Sequence, residues 1–244
     1  RLAGKRALVT GASRGIGAAI AQQLAAEGAD VAITYERSAE KAASVVKAIE
    51  ALGRKGAAIA ADSADPAAVK RSVDQAAQAL GGLDILVNNA GIYRGGPVED
   101  WSLADIDTIM AVNIRAVVLA SQAAAAHLGE GGRIISIGSC LADRVVEPNV
   151  TLYAMTKAAL IGFTKGLARD FGPRGITVNL VHPGSTDTDM NPADGPRAAA
   201  QLARMAIPAY GKPQDIAAAV AYLASEEGRF ITGAGLAVDG GVNT

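Results

Sequence analysis

With only one cysteine, Cys140, this 244-residue chain cannot close an internal disulfide, and nothing else in it points to an oxidising compartment, so a cytoplasmic location is expected. Histidine is almost as scarce. His127 and His182 lie far apart without a matching set of ligands, so no metal site is expected. No charge of one sign dominates, because 23 basic and 24 acidic residues leave a formal net charge of -1. That balance argues against nucleic acid and anionic membranes as partners. No long hydrophobic run is present either: Lys5 to Thr10 is too short for a signal peptide or a membrane span. No linker, internal repeat or charge run divides the chain, and half of its residues are hydrophobic, so a single domain over 1–244 is expected.

What is present is an alternation of short β-branched runs with longer Ala-rich segments of helical period. Strands are expected at Ala7–Thr10, Val31–Tyr35, Ala57–Ala61, Asp84–Asn88, Arg133–Gly138, Thr177–Val181 and Leu236–Val238. Helices are expected over Arg14–Glu27, Ala39–Leu52, Pro66–Leu80, Leu103–His127, Thr151–Phe171 and Pro213–Ala224. Near-continuous apolar strands separated by helices predict an α/β doubly wound fold, a parallel seven-stranded sheet with helices on both faces. Gly28, Gly53 and Gly172 stand where left-handed residues would end helices. The irregular stretch at about 186–209, with Pro192, Pro196 and Pro208, follows a strand's carboxyl end and is a candidate substrate lid.

Two motifs carry chemistry. Gly11-Ala12-Ser13-Arg14-Gly15-Ile16-Gly17 follows the first strand and opens the first helix, where glycine lets the backbone approach a pyrophosphate and the helix amides face the anion. Tyr153 and Lys157, four apart on a helix, project from one face, with Ser139 fourteen residues upstream of the tyrosine. A tyrosine starts near pKa ~10, and an ammonium beside it would favour ionisation. Ser136 also lies in the fifth strand, but Ser139 at its carboxyl end is the better placed serine for a ligand.

In order and spacing, Thr10-Gly11-x-x-x-Gly15-x-Gly17, Asn88-Asn89-Ala90-Gly91, Asn113, Ser139 and Tyr153-x-x-x-Lys157 resemble the short-chain dehydrogenase/reductase family, over essentially the whole chain to Asp239-Gly240-Gly241. The resemblance implies a Rossmann-type fold and a nicotinamide cofactor. It assigns Tyr153 as general acid/base, Ser139 as the group orienting the carbonyl, and Lys157 as the residue lowering the tyrosine pKa and binding ribose. Asn113 would support a proton-relay water. Asp62-Ser63 would meet the adenine and Asn89-Ala90-Gly91 the adenosine ribose. Pro183-Gly184 with Thr186 and Thr188 would meet the nicotinamide. At the end of the second strand, where a carboxylate would meet the ribose of NAD, stands Tyr35, flanked by Arg37 and Ser38; with Arg14 the pattern favours NADPH. Glu36 leaves NAD open.

The implied reaction is reduction of a ketone to a secondary alcohol. Gly91-Ile92-Tyr93-Arg94 and Thr188-Asp189-Met190 resemble 3-oxoacyl carrier-protein reductases, whereas Gly138 to Arg144 is closer to general ketone reductases. Cys140 is read as pocket lining rather than a nucleophile, and Trp101, Tyr93 and Met190 are candidate pocket or packing residues. The family's habit implies a homotetramer built through Leu103–His127, Thr151–Phe171 and the last strand. Ala158, Ala159, Gly162 and Gly233-Ala234-Gly235 are small enough for such packing. The alternatives are an NAD-dependent alcohol or sugar dehydrogenase and a nucleotide sensor without turnover.

Overall fold

Seven strands, β1 (Arg6–Val9), β2 (Asp30–Tyr35), β3 (Gly56–Ala60), β4 (Ile85–Asn88), β5 (Arg133–Ile137), β6 (Thr177–Pro183) and β7 (Gly235–Val238), form one sheet in a computed structural model describing residues 1–244. The order is β3-β2-β1-β4-β5-β6-β7 and every pair is parallel. Alternate strand residues go to opposite faces. Ala7, Val9, Val31, Ile33, Ile85, Val87, Ile135 and Ile137 pack into one apolar cluster, while Leu8, Ala32, Leu86 and Ile134 belong to another. Both sides of the central strands are therefore dry, which is why they read as unbroken apolar runs.

Eight helices cover the two faces: α1 (Gly15–Ala26), α2 (Ala39–Ala51), α3 (Pro66–Leu80), α4 (Leu103–Met110), α5 (Ala116–Ala124), α6 (Thr151–Phe171), α7 (Ala198–Leu202) and α8 (Pro213–Ala224). Residues of α1, α2 and α8 complete the first cluster, and residues of α3, α5 and α6 the second. Local chemistry sets their ends. Asp65 caps α3 by accepting from the Ala67 amide, Pro66 takes the first helical position, and Gly81, at φ 79°, stops it. On α2 the stripe Ala42, Val45, Ile49 is buried and the rest is largely wet. None of the helices is long and apolar enough to cross a membrane.

Three sequence expectations need correction. The segment expected as one helix over Leu103–His127 is α4 and α5 joined by a wider π-helical turn at Ala111–Arg115, in which the Ala116 amide donates to the Ala111 carbonyl. Such a turn inserts a residue without breaking the apolar period, so periodicity does not reveal it. Gly172 does not end α6 in the left-handed region. Its φ is -52°, the chain continues through a short 3-10 turn, and Gly175 at φ 69° reverses it. The irregular 186–209 segment contains the short α7.

The sheet order puts the active side of the molecule in place. From β1 the chain winds outward to β2 and β3, then returns to pair β4 with the other edge of β1. The loops leaving β1 and β4 therefore diverge, and a crevice opens at their carboxyl ends.

Candidate active site

At that crevice the β1 end is held open by hydroxyls rather than by bulk. Thr10 Oγ1 accepts from both the Asn89 and Ala90 amides, each at 3.0 Å, tying β1 to the loop after β4. Asn89 Nδ2 donates back to the Thr10 carbonyl at 2.9 Å and the Gly11 carbonyl at 3.1 Å. Thr34 Oγ1, from the end of β2, accepts from the Gly11 amide at 2.9 Å. Gly11 needs its left-handed φ of 63°, and a Cβ there would stand 2.9 Å from the Ala90 Cα. At Gly17 a Cβ would collide with the side-chain Nδ2 of Asn89 and lie 2.8 Å from the Ala12 Cα. Arg14 precedes α1 in an extended conformation and its side chain makes no cap, so the first amides of the helix are left for an anion.

The crevice has a volume of about 700 Å³. Its walls include Gly11, Ser13, Arg14, Gly15, Ile16 and Gly17 from the cradle, Tyr35, Arg37 and Ser38 after β2, Asp62 and Ser63 after β3, Asn89, Ala90 and Gly91 after β4, and Thr188, Tyr153 and Lys157 at the far end. Three expected cofactor contacts lie elsewhere: Gly184 and Thr186 face a second cavity, and Pro183 is the buried end of β6. Gly184 is required for packing, since a Cβ would come within 2.6 Å of the Asp239 backbone. A long, glycine-floored trough with amides at one end and a lysine at the other fits a dinucleotide.

The charges around the β2 end of the crevice are not free. Arg37, 88% exposed, pairs with Glu36 at 2.8 Å. Arg14 pairs with Asp189 of the irregular segment at 3.1 Å, and Lys41 approaches the same carboxylate at 3.5 Å. These two cations hold the Asp189 carboxyl below its ordinary range, with the Arg14 hydrogen bond the largest cause. Pairs this exposed are weak, so a phosphate can displace either carboxylate.

The second cavity, of about 160 Å³, adjoins the first and is bounded by Ser139, Cys140, Leu141, Val146, Tyr153 and Met190 among others. Tyr153 borders both cavities. Its ring tilts against Tyr93 at a centroid distance of 5.3 Å. Burial pushes the Tyr153 phenol up to about 12, although the neighbouring Ser139 hydroxyl pulls the other way. Burial also pushes Lys157 down to about 8, and its Nζ donates to the Ile137 carbonyl at 2.8 Å. Lys157 Nζ lies 5.7 Å from the centroid of the Tyr153 ring. Burial therefore outweighs any pull of the ammonium on the phenol, and Tyr153 is held protonated. Cys140 is likewise pushed up by burial, to about 11, which makes it a poor nucleophile and leaves it as lining. Tyr93 and Met190 line the second cavity as well; Trp101 does not, its indole donating to the Gly96 carbonyl instead.

Behind these groups sit polar residues that fix them. Ser139 Oγ accepts from the Leu141 amide at 3.2 Å, which leaves its own proton free to be donated. The buried His182 ring bonds the Ser139 carbonyl through Nδ1 at 2.9 Å. Asn113, buried in the π-helical turn, accepts from the Ile92 amide and donates to the Ile92 carbonyl and Thr156 Oγ1. It borders neither cavity. Ser136 is a packing group inside β5, accepting from Asn88 Nδ2.

The chain matches the family model described as enoyl-(acyl carrier protein) reductase over residues 11–243. A crystal structure of a short-chain dehydrogenase from Burkholderia cenocepacia J2315, in complex with NADP, superposes with a TM-score of 0.99 at 68% identity, covering 100% of both chains. The chain is 45% identical to a cyclic-di-GMP-binding biofilm dispersal mediator protein of Escherichia coli strain K12, over 97% of this chain and 96% of that one. It is 41% identical to a 3-oxoacyl-[acyl-carrier-protein] reductase of Staphylococcus aureus, over 98% of each. The chain belongs to the short-chain dehydrogenase/reductase family. It is an oxidoreductase by that membership, with the family's doubly wound sheet.

For this short-chain dehydrogenase/reductase, sequence reasoning missed four residues that shape the site. Thr34, Thr156 and His182 left no signal, since each is an ordinary strand or helix residue until the fold brings its partner near. Thr10 carried one, because it precedes Gly11 in the cradle motif, but the bonds it makes across to β4 depend on the sheet order.

Proposed function

We propose that the protein reduces a ketone to a secondary alcohol at the expense of NADPH. The observation that carries this reading is the position of Tyr153, which borders the dinucleotide-shaped crevice beside Lys157 and the smaller cavity beside Ser139. A carbonyl in the smaller cavity would have two hydroxyl donors at its oxygen and an open side toward the crevice.

NADPH, when bound, supplies the hydride for the carbonyl carbon. Tyr153 gives its phenolic proton to the carbonyl oxygen as negative charge develops there. The phenol, held up near 12 by burial, carries its proton at neutral pH and can act as the donor. Ser139 steadies the same oxygen by hydrogen bonding. Lys157 uses one N–H on Ile137, and its remaining donors face the crevice where ribose hydroxyls would lie. Its charge favours the tyrosinate left after proton transfer. Asn113 acts as a positioning residue, holding the Ile92 loop to α6 through Thr156. Arg14 and Arg37 take the 2'-phosphate in exchange for Asp189 and Glu36, and the 186–209 segment serves as the lid.

The phosphate-bearing cofactor is preferred because the end of β2 offers Tyr35 and Arg37 to the adenosine ribose, with the Glu36 carboxylate engaged by Arg37. The NADP complex of the Burkholderia relative supports the same choice. The single unpaired thiol suits the cytoplasm. Retention of Tyr153, Ser139 and Lys157 in one site speaks for turnover over nucleotide sensing alone. A panel of neutral and charged ketones, and the matching alcohols, incubated with NADPH and NADH tests the reading. Ketone-dependent oxidation of NADPH is expected for part of the panel; saturable cofactor binding with no turnover of any member would overturn it.

A further inference from the structure

The wall of the smaller cavity carries charge that the reaction does not use. Three charged side chains border it: Glu147, Arg197 and Arg204. Glu147 and Arg204 pair with each other at 2.8 Å. Arg197, at the start of α7, has no carboxylate within ion-pair distance. Its only side-chain hydrogen bond is a long one, 3.5 Å, to Asn191 Oδ1. The guanidinium lies over the Tyr93 ring, 5.3 Å from the centroid. Tyr93 in turn packs against Tyr153. A cation is thus held by an aromatic face, one ring removed from the proton donor, with no counter-charge of the protein's own.

Resting on the ketone-reductase reading, we propose that the substrates this site is built for are small oxo acids, whose carboxylate pairs with Arg197 while the ketone oxygen sits between Ser139 and Tyr153. The size of the cavity, about 160 Å³, supports a small molecule: a cavity of about 150 Å³ holds one benzene ring. The fork of a guanidinium matches a carboxylate through two parallel hydrogen bonds, and the aromatic face beneath it restricts the fork's orientation. The apolar wall of Leu141, Val146 and Met190 accommodates the carbon skeleton between the two polar ends. Arg197 is then a specificity residue, selecting among ketones by their charge.

The test compares free acids with their methyl esters at three spacings between ketone and carboxylate: 3-oxobutanoate, 4-oxopentanoate and 4-acetylbenzoate. For at least one spacing the acid is expected to exceed its ester in kcat/KM by about tenfold or more, the advantage of a charge-assisted hydrogen-bonded pair. Raising the ionic strength should raise the acid's KM and leave the ester's unmoved. Arg197→Gln should cut kcat/KM for the acid about tenfold more than for the ester, and Arg197→Lys should restore part of the difference. Because both substrates are measured on one protein preparation, a partly misfolded variant does not affect the ratio. Esters equal to or better than acids at every spacing, or equal losses for acid and ester in Arg197→Gln, would overturn the inference while leaving ketone reduction intact. No oxidation of NADPH with acid or ester at any spacing, while other ketones of the wider panel react, would also overturn it. Failure of the whole wider panel would instead remove the ketone-reductase reading itself, and the inference with it.

Discussion

Lys157 is 5% exposed and has no carboxylate partner, so its charge is costly to bury. Its folded pKa of about 8 lies below the ordinary 10.5. Across that window the unfolded chain holds a proton that the native chain has lost, so the Lys157 contribution to stability rises with pH. A Lys157→Met variant lacks this term. The stability of the wild type relative to Lys157→Met, from urea melts without cofactor, should therefore increase by up to about 3 kcal/mol between about pH 7.5 and pH 10. Tyr153, whose folded pKa is raised, destabilises in the opposite sense only as pH climbs past its ordinary value of 10, and it is common to both proteins. A flat or falling difference would mean that Lys157 is not desolvated. That Ser139, Tyr153 and Lys157 would stand at one site was legible in the sequence, because their spacing is local to a strand end and one helix. The balance of its pKa values was not, since burial depends on Ile137, Cys140 and Tyr93, which only the fold brings around it.

Among the elements, the turn after β2 is the one that the proposed NADPH preference rests on. Tyr35 ends the strand, Glu36 and Arg37 pair with each other, and Ser38 begins α2. Sequence alone left Glu36 as an open argument for NADH; the Glu36–Arg37 pair shows the two side chains engaged with each other. Arg37→Ala should weaken NADPH by about threefold to tenfold in a fluorescence titration and leave NADH nearly unchanged, the loss of one exposed phosphate contact. An unchanged ratio would remove Arg37 from the clamp. Elsewhere, element boundaries were readable where punctuation is chemical, as at Asp65-Pro66 and Gly81 around α3. The π-helical turn at Ala111–Arg115 was not, because one inserted residue leaves the apolar stripe of α4 and α5 in register with the core.

For the whole molecule, the near-continuous apolar runs of β1, β2, β4 and β5 made the two-faced parallel sheet legible, and the sheet order follows from the winding rules of such folds. Which loops meet at the crevice is a consequence of that order rather than of any motif. One edge strand, β7, keeps Gly235, Leu236 and Ala237 exposed, and Phe230 nearby is 97% exposed. An apolar edge of this kind invites a second copy. Self-association through this face is therefore expected by light scattering, and Phe230→Asp should shift the mass downward; an unshifted mass would exclude this face from the assembly. NADPH deuterated at its transferable position tests the proposed hydride transfer most directly. Incubated with a ketone that the protein turns over, it should place the deuterium on the carbinol carbon of the alcohol, and Tyr153→Phe should slow that transfer by about 10²–10⁴-fold while cofactor binding persists. An alcohol without deuterium at that carbon, or an undiminished rate in Tyr153→Phe, would contradict the account.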